Sequence, residues 1–404
     1  RVASRGLGDV YKRQDFIWME MDEITEMLPS VAEIDGRIDK WTALALKSRA
    51  MLYAASVANF GTEQLDGLLG FPQSDANTYY QASLDASKTI IESGPFSLYR
   101  LSTDPVQNFG NLFIDEETNS EVIFKEKYDF DAQKSHQWDA LAQPSGFGFN
   151  WSSNYTVYLE TLEQFDFIDG TTGLVDRSRY DDATPIDPNR FFEERDPRMR
   201  ASIFYPGSSF KEATVFFHRS MSGLKEGWPN AGPTKHTGSL ATGLLIRKRT
   251  NPNTPDATRS NTDFIVFRLG EIILNYVEAA YYLGDPNGDM LVHTNNLRDR
   301  AGMPDVNAEE LTEAKIRQER KCELAFEEHV FWDLRRWRIA VEELNNVQRH
   351  RLHYRYNANS GMYTIEIADG DAGGVRLHPE RNYYYALGLA RLADNPKLIE
   401  NPGY

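Results

Sequence analysis

Residues 41–57 read Trp-Thr-Ala-Leu-Ala-Leu-Lys-Ser-Arg-Ala-Met-Leu-Tyr-Ala-Ala-Ser-Val, and the periodicity of that run decides the fold class. Ala43, Leu46, Ala50, Tyr53 and Val57 recur in alternating steps of three and four, which sets them along one stripe of a helix. A second helix is predicted from about Asn77 to Ser93, with Tyr80, Leu84 and Ile91 on one face and Gly94-Pro95 as its stop. Together they make a helical hairpin. Helical periodicity returns at Phe264 to Leu283, where Leu269, Ile272, Ile273, Tyr276 and Ala280 form the stripe and Gly284-Asp285-Pro286 ends it. It continues through His293 to Arg300, stopped by Gly302, then over Glu309 to about His329 and the Trp-rich segment Phe331 to Asn345.

Between Ser97 and Ser260 the character changes. Gly, Pro, Asn and Asp recur, and the regular signals are short β-like runs, Glu121 to Phe124 and Thr214 to Phe217. So long an irregular stretch is more than a connector, and ordered loops of this kind usually carry function. After Asn345 the chain reads as polar, Tyr-rich and loop-like. The expected class is mainly α: a tetratricopeptide-like helical scaffold with a large irregular loop lobe and short β segments, although no strict repeat signature is present. One domain over 15–404 is expected, with its scaffold at about 15–96 and 260–345 and its lobe at about 97–259 and 346–404. Residues 1–14, RVASRGLGDVYKRQ, have no apolar periodicity and read as non-native sequence, set apart from the fold.

The 404 residues carry 44 Lys and Arg against 60 Asp and Glu, a net charge of −16, so the mean field repels nucleic-acid phosphates and anionic lipid. No apolar run is long enough to span a bilayer as a helix. The single cysteine, Cys322, excludes an internal disulfide framework and Cys-rich metal sites, and its helical surroundings read as those of an inert core thiol. Neither a His-Glu zinc motif, a complete dinucleotide-binding glycine loop nor a Gly-x-Ser-x-Gly elbow is present, and no cofactor or metal is expected.

Several segments taken together resemble the SusD/RagB family, the nutrient-binding outer-membrane lipoproteins that pair with a TonB-dependent transporter. They include Ala43 to Tyr53 and Tyr79 to Leu98, the Arg195-Asp196-Pro197-Arg198 turn, Arg268 to Ala279, and Leu297 to Pro304. The most specific are Glu319 to Glu327, Phe331 to Trp337 and the ending Asn401-Pro402-Gly403-Tyr404. One departure is Glu328-His329-Val330, where the family pattern has Gly, any residue, then Arg. The resemblance implies a non-catalytic binder of oligosaccharides or polysaccharides, a SusC-like TonB-dependent transporter as partner, and a lipid anchor on the extracellular face of the outer membrane. A peptide-binding member of the same system is the alternative, and a glycoside hydrolase the alternative from another class.

For a glycan binder, flat sugar faces stack on indole or phenol rings while hydroxyls need fixed amide or carboxylate partners. Between His136 and Tyr158 lie Trp138, Phe147, Phe149, Trp151, Tyr155 and Tyr158, with Gln137, Asp139, Asn150 and Asn154 among them. The candidates are Trp138, Trp151, Tyr155, Asn150 and Asn154, with Trp228 on a separate loop. A small satellite core filled by the same rings is the competing reading. Trp332 and Trp337 read as packing residues, and Arg320, Glu323, Glu327, Asp333, Arg335 and Arg336 as buried or half-buried ion pairs. Glu327-Glu328 makes a poor glycosidase pair, because adjacent helical positions diverge. The basic run Arg349 to Arg355 reads as a solvated face or a contact with acidic neighbours.

Overall fold

The computed structural model describes residues 10–147, 152–180, 183–187, 191–218, 220–222, 242–254, 258–357, 359–371 and 374–404. Helix α1 (Val10–Met27) packs on α2 (Lys40–Phe60), and α2 pairs with α3 (Ala76–Ser93). The first of these runs through the Gln14/Asp15 junction, and Gln14 Nε2 donates to Ala50 O at 3.2 Å. Asp39 caps α2 by accepting from Thr42 N at 2.8 Å, worth about 1 kcal/mol. Gly94 closes α3, its N–H reaching Ile90 O, as the sequence predicts.

The buried face of α2 differs from the stripe read in the sequence. Leu46 is 41% exposed, whereas Leu44, Ala45, Ser48, Met51, Leu52 and Ala55 are buried. Apolar spacing misleads here because α2 is covered from more than one side and small residues make the closest seam. Ser48 Oγ lies 2.8 Å from Ser87 Oγ and accepts from Asn275 Nδ2 at 3.0 Å, tying α2 to α3 and to α8 (Leu269–Leu283).

The helix expected from Phe264 opens instead as a strand. After α4 (Pro105–Asn111), β1 (Val122–Glu126) pairs antiparallel with β7 (Phe264–Arg268), so the first five residues of that segment are extended and α8 begins at Leu269. Gly284, at φ +78°, and Gly302, at φ +74°, end α8 and α9 (Met290–Ala301) in the left-handed conformation glycine adopts without strain. Helix α10 (Glu313–Glu323) is shorter than predicted. Its terminal carbonyls are taken by side chains: Lys248 Nζ donates to Glu323 O and Ala325 O at 3.0 and 2.9 Å, and Arg268 Nη2 to Glu323 O at 3.0 Å. Helices α11 (Val330–Arg336) and α12 (Ala340–Leu344) follow. Among the described residues the molecule is thus mainly helical, with the expected paired-helix scaffold.

The lobe has its own core. Leu159, Leu162, Phe165, Phe192, Met199, Phe204, Phe217 and Leu245 pack with Leu352, Tyr354, Tyr363 and Ile365. The last four belong to a hairpin, β8 (His350–Asn357) and β9 (Met362–Asp369), where the sequence reading expected loop. Its alternation of buried Leu352 and Tyr354 with more exposed Arg351, His353 and Arg355 is the period of a half-buried strand, while His350, on the Leu352 side, contacts Glu160. In the Arg195-Asp196-Pro197-Arg198 turn, Asp196 caps α7 (Pro197–Ser202; α5 and α6 are Trp138–Ala142 and Leu159–Leu162). Arg195 is buried and donates to the carbonyls of Phe191, Phe165 and Gly173 at 2.8–3.0 Å, and burial brings its guanidinium down to about 10.

The charged residues of α10 and α11 enter a buried network, as the sequence predicts, and it joins lobe to scaffold. Arg268 binds Glu121, Glu323 and Glu327 at 2.7–2.8 Å. Arg198 binds Asp196, Glu319 and Glu323, Arg300 binds Glu121 and Glu323, Arg298 binds Glu319, and Lys248 binds Glu327. Five cations here face five carboxylates. A second cluster links Asp333 to Arg320 and Arg336, and Glu278 to Arg336 and Trp337 Nε1. Arg335 departs from the expectation: it donates to the carbonyls of Asn382 and Tyr383. Trp337 is 1% exposed and packs as predicted, but Trp332 is 42% exposed beside the Arg335 guanidinium.

Candidate functional site

Three segments of the lobe converge beside the β1–β7 ladder. Trp138 opens α5, whose next residue, Asp139, is buried and accepts from Asn251 N and Thr254 Oγ1 at 2.8 and 2.7 Å, fixing the loop after β6 (Leu245–Ile246) against it. The chain at 153–155 runs back along α5, with Ser153 N donating to Gln143 O and Asn154 N to Leu141 O, and Tyr155 O accepts from Ile246 N at 2.9 Å. Those backbone bonds bring two rings together. Trp138 and Tyr155 stack with centroids 4.7 Å apart and planes 19° apart, and Trp138 Nε1 donates to Lys248 O at 3.2 Å.

A cavity of about 270 Å³ lies over this pair, lined also by Tyr128, His136, Arg249 and Phe264. Tyr128 meets His136 edge-on at 4.6 Å, and His136 Nε2 is 2.9 Å from Thr262 O. The Arg249 guanidinium sits 4.3 Å from the Trp138 ring centre and 4.6 Å from that of Phe264, a cation–π arrangement. Gln137 and Glu328 supply exposed polar groups at the mouth. Flat apolar faces bordered by a few donors and acceptors can hold a ring that is itself apolar on its faces and polar on its edge.

Of the residues singled out from sequence, Trp138 and Tyr155 meet in this cavity, and Asn154 is exposed next to Tyr155. Asn150, Trp151 and Trp228 lie outside the described residues. Two other rings of the same run go elsewhere: Phe147 packs edge-on against Phe210 of the lobe core, and Tyr158 donates to Asp371 Oδ1 at 2.6 Å. Tyr128, His136, Arg249 and Phe264 went unnoticed in the sequence. No local pattern marks them, because strand pairing and the 245–249 segment bring them in from separate stretches.

Glu327 is unavailable for acid–base work. Burial pushes its carboxyl up, but Arg268 and Lys248 outweigh burial and hold it at about 2. Cys322 is buried, its Sγ 3.1 Å from Gln164 O, and burial pushes the thiol well up, in keeping with an inert residue. No helix among the described residues is long and apolar enough to cross a membrane.

The SusD family model matches residues 120–404, a span that holds the Arg195–Arg198 turn and the buried Arg–Glu network. The chain belongs to the SusD family. A SusD-like protein from Bacteroides fragilis superposes with a TM-score of 0.72 at 25% identity, covering 98% of this chain and 71% of that one. A SusD-like carbohydrate-binding protein, also from Bacteroides fragilis, gives a TM-score of 0.68 at 21% identity over 95% of this chain and 70% of that one. The SusD-like protein P38 of Formosa agariphila is 23% identical over 344 residues, 80% of this chain and 56% of that protein. This SusD-family chain thus spans little more than half the length of that curated relative.

Glu328 adopts φ +68°, the left-handed backbone conformation, with the strain that a side chain entails there.

Proposed function

We propose that this SusD-family protein binds oligosaccharide at the Trp138–Tyr155 cavity and presents it, uncleaved, to a TonB-dependent transporter, from a lipid-anchored position on the outer face of the outer membrane. The observation that carries the binding reading is the stacked pair at 4.7 Å at the edge of a cavity also lined by Tyr128 and Phe264. Trp138, with Tyr155 stacked on it and the Arg249 guanidinium over its ring, forms the floor, and Tyr155, Tyr128 and Phe264 are the rings that can meet the C–H face of a pyranose while Gln137 and Glu328 orient its hydroxyls. Membership of the SusD family and the likeness to a carbohydrate-binding neighbour support the same reading.

The test is titration calorimetry with a panel of plant and algal oligosaccharides against the wild type, Tyr155→Ala and Trp138→Phe. Tyr155→Ala removes half of the stacked pair and should weaken binding about tenfold, in the range of one such contact. Trp138→Phe keeps a ring but loses the bond to Lys248 O and should weaken binding less. Wild-type affinity in both variants would remove the cavity as the site. Reducing ends released from any bound oligosaccharide would replace the binder reading with a hydrolase.

A further inference from the structure

Arg249 borders two cavities. On one side its guanidinium covers Trp138; on the other it lines a larger hollow of about 480 Å³, whose wall also carries Arg200, Lys211 and Arg247. Three carboxylates reach the same wall, and each is largely committed or exposed. Asp104 caps α4 by accepting from Val106 N, Glu193 lies 4.0 Å from Arg200, and Glu212 is exposed at the tip of the turn after Phe210.

The cations are less well compensated. Among the described residues neither Arg247 nor Arg249 has a carboxylate within ion-pair distance; Arg247 donates to Arg200 O at 3.4 Å and lies near the Phe204 ring. Burial holds both guanidiniums below their usual value, and Lys211 is lowered for the same reason. The guanidiniums remain cations at neutral pH. Among the described residues, Arg200 Nε, Arg249 Nε and Thr250 Oγ1 are buried donors with no hydrogen-bond partner. Such groups cost free energy unless something satisfies them. Arg249 and Lys211 also hold left-handed backbone, at φ +66° and +47°, a strain that aims side chains at functional sites more often than elsewhere.

We infer that the ligand is an anionic oligosaccharide, whose uronate carboxylate or ester sulfate enters the Arg200–Lys211–Arg247–Arg249 hollow while a neighbouring sugar ring lies against Trp138 and Tyr155. This deepens the glycan-binding reading and rests on it. Arg249, shared by both cavities, ties the charged contact to the stacking contact. Guanidinium groups suit carboxylate and sulfate oxygens because their donors lie in a planar fork. The net charge of −16 argues against nonspecific ion exchange as a source of such binding, since the mean field repels anions.

Matched probes test this with the full chain in calorimetry at constant salt: an oligogalacturonide against its methyl-esterified form, and a sulfated oligogalactan against its desulfated form. At least one acidic probe should bind tenfold or more tighter than its neutral partner, and which pair shows the difference distinguishes carboxylate from sulfate. Arg200→Gln with Lys211→Gln should abolish that preference at an unchanged melting temperature. Lys211→Gln alone, at a surface turn, should reduce it if the double variant folds poorly. Equal affinity for acidic and neutral partners, or a preference that survives both variants, overturns the anionic ligand and leaves the glycan reading standing. Absence of binding to any oligosaccharide overturns both.

Discussion

Replacing Glu323 by Gln removes one charge from the middle of the buried network and keeps the side chain's shape. Its carboxylate is 0% exposed and accepts from Arg268 at 2.7 Å, Arg198 at 3.0 Å and Arg300. Burial alone would raise its carboxyl, but Arg300, Arg268 and Arg198 hold it well below the usual range. The five cations of the cluster would then face four carboxylates. An amide oxygen could accept from one guanidinium, while its NH₂ would meet donors. Breaking a buried pair by removing one partner costs about 3–5 kcal/mol, mostly the penalty of the charge left behind. That is a large share of the roughly 5–15 kcal/mol by which natural domains are stable. Equilibrium urea unfolding followed by tryptophan fluorescence measures it. The control is Glu313→Gln, which removes the surface partner of Arg317 at 2.6 Å and should cost under about 0.5 kcal/mol. A loss below about 1 kcal/mol for Glu323→Gln, or the same loss in both variants, would refute the claim that the network holds lobe and scaffold together.

Acid should unfold the protein through the same groups. Glu327 and Asp333, both held at about 2 by neighbouring cations that outweigh burial, bind protons more readily in the unfolded chain; their stabilisation is complete above about pH 4.5 and is lost as pH falls toward 2, on the order of 5 kcal/mol together. Burial keeps His329 below its usual value, which adds a smaller loss as pH drops below about 6.5, and a urea midpoint that stays flat from pH 7 to pH 3 would contradict both statements. Glu328→Gly should raise stability by about 1 kcal/mol by relieving the left-handed backbone at φ +68°, read as a higher urea midpoint; a lower midpoint would show that the glutamate makes a contact worth more than the strain. Cys322 should react with a thiol reagent only as fast as the chain unfolds, and rapid labelling of native protein would place it outside the core.

The sequence by itself determined the helical class, where α3, α8 and α9 stop, and, Arg335 apart, which charged residues of the Arg320–Arg336 segment would form ion pairs. Those features depend on neighbours within about one helical turn, so Gly94, Gly284 and Gly302, or the spacing of Glu319, Glu323 and Glu327, announce them locally. The β8–β9 hairpin was legible in principle from Leu352, Tyr354, Tyr363 and Ile365 at period two, but interleaved Arg and His disguised it as a polar tail. The buried face of α2 was not legible, because three covering elements, rather than the helix's own apolar stripe, choose it. Partners in the network were not legible either: Arg268 meets Glu121 across 147 positions and Glu323 across 55. The candidate site shows the same division. Trp138 and Tyr155 stood out as aromatics on irregular chain, yet only the tertiary structure stacks them, sets Arg249 over one and opens a cationic hollow behind it, since no local rule specifies which distant backbone will supply the other wall.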